Sequence, residues 1–280
     1  MTSPTLPAST IARDRWPGDG SPVVLVHGIG HRRQAWARLP DLLHAAGHDI
    51  IALDLPGHGD SPTPARPDRW SLASHADQLE RLFAELGLGR PHVVGNSLGG
   101  LIALELGARG SVSGVTALAP AGFFPRRHLP GIAANLLFMK AGSHLPLALH
   151  RRLNASERYR RLAYRALYTH PEKVSPEDAV GDTLGLRRSA GFWHHVVRAT
   201  RVRFTSPVAV PTTIAWGDTD RLLLPSEAQV ARRRLPDAVH VTLTDCGHCP
   251  QVDHPERVAE VVLATIARAD ATTPSPRSAS

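Results

Sequence analysis

One turn constrains this chain more than any other stretch. Residues 91–100 read PHVVGNSLGG, a short apolar run that breaks into a glycine-rich turn. Residues 101–110, LIALELGARG, continue as a helical segment. The turn is G-x-S-x-G, from Gly95 to Gly99, set between a predicted strand and a predicted helix. Glycines on both sides of a serine let the chain reverse sharply, so the hydroxyl of Ser97 projects above a sheet. A helix starting behind it offers its dipole and free N–H groups to developing negative charge.

The strand–helix rhythm recurs on both sides of that turn. Residues 22–28, 48–59, 115–122, 212–220 and 238–248 read as strands, several running on into loops. Residues 36–47, 71–87, 225–236 and 255–269 read as helices. Ser71 is placed to cap its helix, Gly87 to end it, and Pro255 to open the last one. Repeated units of this kind imply an α/β fold with a mostly parallel, doubly wound sheet. Between 123 and 205 the rhythm gives way to short helices with Pro and Gly joints. The expected organisation is a core at 21–122 and 206–270 with an inserted helical cap at 123–205. The termini, 1–20 and 271–280, are expected to be flexible, on their Pro, Ser, Thr and Ala content.

Composition excludes several classes. A chain of 280 residues suits one large domain, or one with a big insertion. No apolar run approaches the roughly 18–20 residues of a membrane span. Residues 1–20 lack the apolar segment of a secretory signal. Two cysteines make no disulfide framework, so a cytoplasmic location is expected. The net charge is +7, and 15 Lys or Arg against 5 Asp or Glu fall between 123 and 205. That excess reads as a solvated helical surface. No aromatic-interleaved basic patch or nucleic-acid motif accompanies it, so no nucleic-acid partner is expected. The sequence leaves the oligomeric state open.

A serine hydroxyl needs a neighbouring base to become a nucleophile. The chain has 16 histidines. His27 and His58 lie in tight Gly-rich turns before the serine and read as turn-stabilising. His248 follows the last strand, where the chain order serine, acid, histidine requires it. The acid should stand at a strand end between them. WGDTD offers Asp218 and Asp220, with Asp220 favoured and Asp218 as the alternative. Asp245 is so near His248 in sequence that it reads as loop-shaping. The backbone amides of Leu98 and Ile29 are the expected oxyanion donors. Phe123, Phe124, Met139, Trp193 and Cys249 are candidate pocket walls. Cys246 and Cys249 have C-x-x-C spacing, but no small βαβ unit opens around them and Pro250 follows, which argues against a redox pair.

HGIG, DLPGHGDS, GNSLGG, WGDTD and CGHCP…HPE stand in one order along the chain. In this the sequence resembles the α/β-hydrolase superfamily, in particular its cap-bearing, esterase-like serine hydrolases, over about 22–122 and 206–269. The resemblance implies Ser97, Asp220 and His248 as a catalytic triad and Ile29 and Leu98 as the oxyanion hole. It implies hydrolysis of a small-molecule carboxylic ester or related acyl substrate through an acyl-enzyme, with no cofactor and no metal. Dehalogenase and epoxide-hydrolase relatives use a carboxylate nucleophile, against which the serine argues. The elbow is also similar to that of meta-cleavage C–C hydrolases. Many of those carry a tryptophan after the histidine, where this chain has Cys249. C–C or lactone cleavage by the same triad, and a non-catalytic binding protein on this fold, are the alternatives.

Overall fold

The computed structural model describes residues 10–64, 70–199 and 202–272. Six strands run parallel: β2 (Gly20–Val26), β3 (His48–Leu53), β4 (His92–Asn96), β5 (Gly114–Leu118), β6 (Thr212–Gly217) and β7 (Val239–Leu243). With β1 (Arg13–Trp16) they form one sheet in the order β1-β3-β2-β4-β5-β6-β7. Strands buried on both faces read as continuous apolar runs, and every residue of β4, β5 and β6 is buried.

Alternate residues of each strand feed two separate cores. Val24, Val26, Ile51, Leu53, Val93 and Val115 join a core with α2 (Leu72–Glu85), α3 (Leu98–Arg109) and α9 (Pro225–Arg234). Val23, Leu25, Ile50, Ala52, Val94 and Leu118 face the other way, towards α1 (Leu39–Ala45) and α11 (Pro255–Thr272). The sheet is therefore doubly wound. The side chain of Ser71 caps α2 by accepting from the Ser74 amide at 3.1 Å, as its position in the sequence predicts.

The N-terminal expectation needs correcting. Residues 13–16, placed in a flexible terminus, form β1, paired antiparallel to β3 from Arg13 opposite Leu53 to Trp16 opposite Ile50. Ile11 is buried just before it, and Arg15 forms a two-pronged ion pair with Asp49 at 2.9 and 2.8 Å. A charged, antiparallel edge strand does not show the apolar run of its neighbours. At the other end α11 extends to Thr272, two residues beyond the expected limit of the core. Residues 1–9 and 273–280 of the expected flexible termini lie outside the described residues.

Among the described residues five α-helices stand between β5 and β6: α4 (Leu129–Gly142), α5 (Leu147–Ala155), α6 (Glu157–Ala163), α7 (Pro176–Arg188) and α8 (Phe192–Ala199). The ammonium of Lys140 in α4 donates to the carbonyls of Leu186 and Arg187 at 2.6 and 3.0 Å, closing the end of α7. It also lies 5.2 Å from the centre of the Phe192 ring. A one-turn helix, α10 (Pro250–Asp253), precedes α11. Among the described residues no single helix is long and apolar enough to cross a membrane.

Candidate active site

Ser97 is the one residue between β4 and α3. Its backbone sits at φ +56°, ψ −113°, a region side-chain-bearing residues rarely adopt. Two glycines make the turn feasible. A Cβ on Gly95 would run into the carbonyl oxygen of Gly99, and one on Gly99 would run into that of Val26. The Ser97 amide donates to the Leu118 carbonyl at 2.9 Å, and its own carbonyl accepts from Ala121 at 3.0 Å. The strained turn is thus held by the neighbouring strand end.

His248 and Asp220 meet at the same edge of the sheet. His248 Nδ1 lies 2.9 Å from Asp220 Oδ2, and both residues are buried. The second carboxylate oxygen, Oδ1, accepts the amides of Leu222 and Leu223, each at 2.9 Å. Those bonds aim Oδ2 at the ring and leave Nε2 as the free side of the imidazole. Asp218 turns elsewhere and accepts the Asp245 amide at 2.8 Å. Of the two acids in WGDTD, the structure brings Asp220 to the histidine.

Asn96 is a residue that sequence reasoning passed over. It is buried, and its side-chain amide donates to the Leu118 carbonyl at 3.1 Å and the His248 carbonyl at 2.9 Å. The residue before the serine therefore ties the histidine's backbone to the strand that carries the nucleophile. The only sequence signal was a polar side chain at the end of a buried strand.

The turn histidines serve the scaffold. His27 Nε2 accepts the Leu55 amide at 3.0 Å, while its Nδ1 lies 2.7 Å from the Gly28 carbonyl. The Nδ1 of His58 is 3.1 Å from the Pro56 carbonyl. Asp54, fully buried below them, accepts from the Arg33 amide at 2.6 Å and the Asp60 amide at 2.9 Å.

Cys246 and Cys249 are free and buried. Burial pushes the Cys246 thiol up to about 12 and that of Cys249 well above its ordinary value. An activated thiol shows the opposite shift.

Two cavities meet at Ile29. One of about 80 Å³ lies beside Ser97, lined by Leu98, Phe124, His75 and His195 among others. The other, about 580 Å³, lies under the cap between the Ile29–His31 turn and Met139, Tyr168 and Leu186. Of the candidate pocket walls, Phe124 and Met139 line these spaces. Phe123, Trp193 and Cys249 line neither. Phe123 is packed into the sheet core, 6.2 Å from the Phe204 ring. Trp193 is 51% exposed on the cap surface. Cys249 is buried against Asn96, its thiol 3.5 Å from the Asn96 side-chain oxygen.

The small cavity has an unusual end. His75 and His195 are buried with ring centres 5.0 Å apart. Neither nitrogen of His75 has a hydrogen-bond partner, nor does Nε2 of His195. Burial lowers the His75 pKa to about 3 and that of His195 well below its ordinary value, which favours the uncharged rings.

Comparison with known proteins gives one consistent picture. A family model described as alpha/beta hydrolase fold matches residues 21–255. Lipase 3 of Moraxella sp. is 25% identical over 240 residues, which cover 84% of this chain and 73% of the lipase. Epoxide hydrolase EphH of Mycobacterium tuberculosis is 30% identical over 203 residues, covering 70% of this chain and 95% of that protein. The solved structure of 2-hydroxy-6-oxo-6-phenylhexa-2,4-dienoate hydrolase from Rhodococcus superposes with a TM-score of 0.75 at 21% identity, covering 93% and 96% of the two chains. On a family match that spans most of its length, the chain belongs to the α/β-hydrolase fold family.

Proposed function

We propose that this chain is a serine hydrolase that cleaves a carboxylic ester, or a related acyl bond, of a small molecule through an acyl-enzyme. One observation carries the reading: the His248–Asp220 pair is joined through Asn96 to the strained turn that presents Ser97. In this reading His248 takes the Ser97 proton as the hydroxyl attacks the carbonyl carbon. Asp220 holds the ring tautomer and steadies the imidazolium. The amides of Ile29 and Leu98, which border the same cavity as Ser97, receive the oxyanion. Protonated His248 then gives its proton to the leaving group, and water releases the acid by the same route. The small cavity takes the acyl group, and the larger one under the cap takes the leaving group.

Epoxide opening fits this site poorly. A serine that attacked an epoxide carbon would form an ether, which has no carbonyl for water to attack, so turnover would stop. C–C cleavage by the same groups is the second reading. His75 and His195 offer polar contacts at the end of the acyl cavity, which a substrate with polar groups on that side would use. A relative 24% identical to this chain is named 2-hydroxy-6-oxononadienedioate/2-hydroxy-6-oxononatrienedioate hydrolase.

Fluorophosphonate labelling followed by peptide mapping tests the nucleophile. The label is expected on Ser97, and Ser97→Ala should lower turnover of p-nitrophenyl esters on the order of 10⁶-fold. Labelling at another residue, or full ester cleavage by the variant, would overturn the assignment. A vinylogous diketone that outcompetes the best ester would move the reading to C–C cleavage.

A further inference from the structure

We propose that His170, Asp245 and His254 form a binding site for a divalent transition-metal ion of the zinc type, fastening the cap to the loop that carries His248. The three residues come from distant parts of the chain. His170 belongs to the segment between α6 and α7. Asp245 lies between β7 and His248, and His254 joins α10 to α11. One donor atom from each falls within 4.8 Å of the other two. His170 Nε2 is 2.7 Å from Asp245 Oδ2, and His254 Nε2 is 3.7 Å from the same oxygen.

These spacings suit an ion. With bonds of roughly 2.0–2.1 Å, donors in a tetrahedral site stand about 3.3 Å apart. The two distances bracket that value, so small movements of side chains would close the site. At 3.7 Å the His254 contact is too long for a hydrogen bond, and its Nε2 is buried without a hydrogen-bond partner. A metal would replace the proton shared by His170 and Asp245 and give His254 Nε2 the partner it lacks. Two imidazoles and one carboxylate favour zinc, cobalt or nickel over calcium or magnesium. Asp245 is exposed, which leaves the fourth position to water.

One of the two histidines already has the outer partner that a metal ligand uses. A ligating histidine is oriented by an acceptor on its second nitrogen. His170 Nδ1 has one in Glu172 Oε1, at 3.3 Å. The neighbouring backbone is fixed by Asp253, which is fully buried. Its carboxylate accepts the amides of Thr169 at 3.1 Å, His170 at 2.8 Å and Gly247 at 2.7 Å. One acid therefore sets both the His170 segment and the loop after Asp245. Asp245 itself sits at φ +57°, held by the hydrogen bond its backbone N–H donates to the Asp218 carboxylate. Because the three ligands span 85 positions, no motif in the sequence announces them.

None of the three residues has a part in the proposed hydrolysis, so the site can be tested without reference to that reading. Protein stripped with EDTA is titrated with Zn²⁺ by calorimetry and with Co²⁺ by visible absorption. Wild type is compared with His254→Ala, Asp245→Asn and His254→Gln, and with Ser97→Ala as the control. We expect one equivalent of Zn²⁺, a four-coordinate Co²⁺ spectrum, and a rise in Tm with Zn²⁺. Each ligand variant should bind at least about tenfold more weakly and lose the Tm rise, while Ser97→Ala behaves as wild type. Asp245 is exposed and His170 and His254 are half-buried at the surface, so the metal-free variants should still fold and melt within a few degrees of wild type. No stoichiometric binding by wild type would overturn the proposal. Undiminished binding by all three ligand variants, meaning that other histidines hold the ion, would overturn it as well.

Discussion

Every residue of β4, β5 and β6 is buried, whereas α4 in the cap buries only Leu136 and Lys140 and leaves Leu137 and Phe138 exposed. The cap also exposes Leu162, Trp193 and Val197. The sheet is packed on both faces, so each strand end is fixed from two sides. The cap is a layer of short helices above a cavity of about 580 Å³; its smaller hydrophobic cluster, with Leu136, Tyr168, Leu186 and Phe192, reaches the core at Leu222, Cys249 and Val252, and polar contacts such as Arg32 to Asp182 cross between the two. Ser97, Asp220 and His248 stand on the rigid part. Most walls of the larger cavity stand on the cap, whose helices are more exposed. Precise chemistry needs groups held by packing, whereas a binding space tolerates looser walls.

The largest effect expected within this contrast is on the rigid side. In Asp220→Asn the retained oxygen can still accept the Leu222 and Leu223 amides, which preserves the loop. The new NH₂ then faces His248 Nδ1 and imposes the wrong tautomer. Turnover should fall about 10⁴-fold, with Tm nearly unchanged. Steady-state ester hydrolysis and a thermal melt measure both. A fall of less than tenfold would mean that another acid orients the ring and that the sheet edge is less exact than described.

Acid should strike the seam between the two regions. His58, His75 and His195 form a chain of rings with centres 5.5 and 5.0 Å apart, His195 coming from the cap and the others from the core. His27 continues it, 5.3 Å from His58. Burial lowers His58 to about 4 and His75 to about 3, and holds His27 and His195 well below their ordinary value. In the unfolded chain these four rings take up protons near pH 6.5, whereas in the folded chain they do so only at lower pH. Stability should therefore be complete above about pH 6.5 and fall as pH drops towards 4, by about 1.4 kcal/mol per pH unit for each such ring. His195→Phe should flatten that slope in denaturant melts run across the range. An unchanged slope would remove His195 from the seam.

Packing gives the next comparison. Leu104 in α3 is fully buried against the sheet, and Leu104→Ala should cost about 3 kcal/mol. Phe138 in the cap is 71% exposed, and Phe138→Ala should stay within about 0.5 kcal/mol. Equal losses in urea titrations would show the cap to be packed as firmly as the core.

What could be read from sequence follows the same division. The Ser97 turn was legible because Gly95 and Gly99 are demanded by backbone clashes a few residues away. The helix 71–87 was legible because Ser71 and its apolar stripe act locally. β1 escaped notice because RDRW is a charged edge strand whose tie to β3 is a backbone pairing and one ion pair, Arg15 with Asp49. Asn96 escaped because its function is a bond to a carbonyl 152 positions away. In the cap, Phe123, Phe124 and Trp193 look alike in sequence, yet one fills the core, one lines the cavity and one faces solvent. Only the packing of several short helices distinguishes them.

The smallest expected effect, and the one that most sharpens the contrast, concerns the two cavities. Met139 borders the large space under the cap, and Phe124 borders the small one beside Ser97. Met139→Ala opens room in the cavity proposed for the leaving group, which Ser97 does not line. It should raise kcat/KM for esters of bulky alcohols about tenfold over those of short alcohols, with the acyl-length profile unchanged. Phe124→Ala should do the reverse, shifting preference towards longer acyl groups at a constant alcohol. A two-way series of esters, varied separately in acid and alcohol, reads both at once. If Met139→Ala moved the acyl profile instead, the two cavities would have to exchange their proposed roles, and the larger one would hold the acyl group.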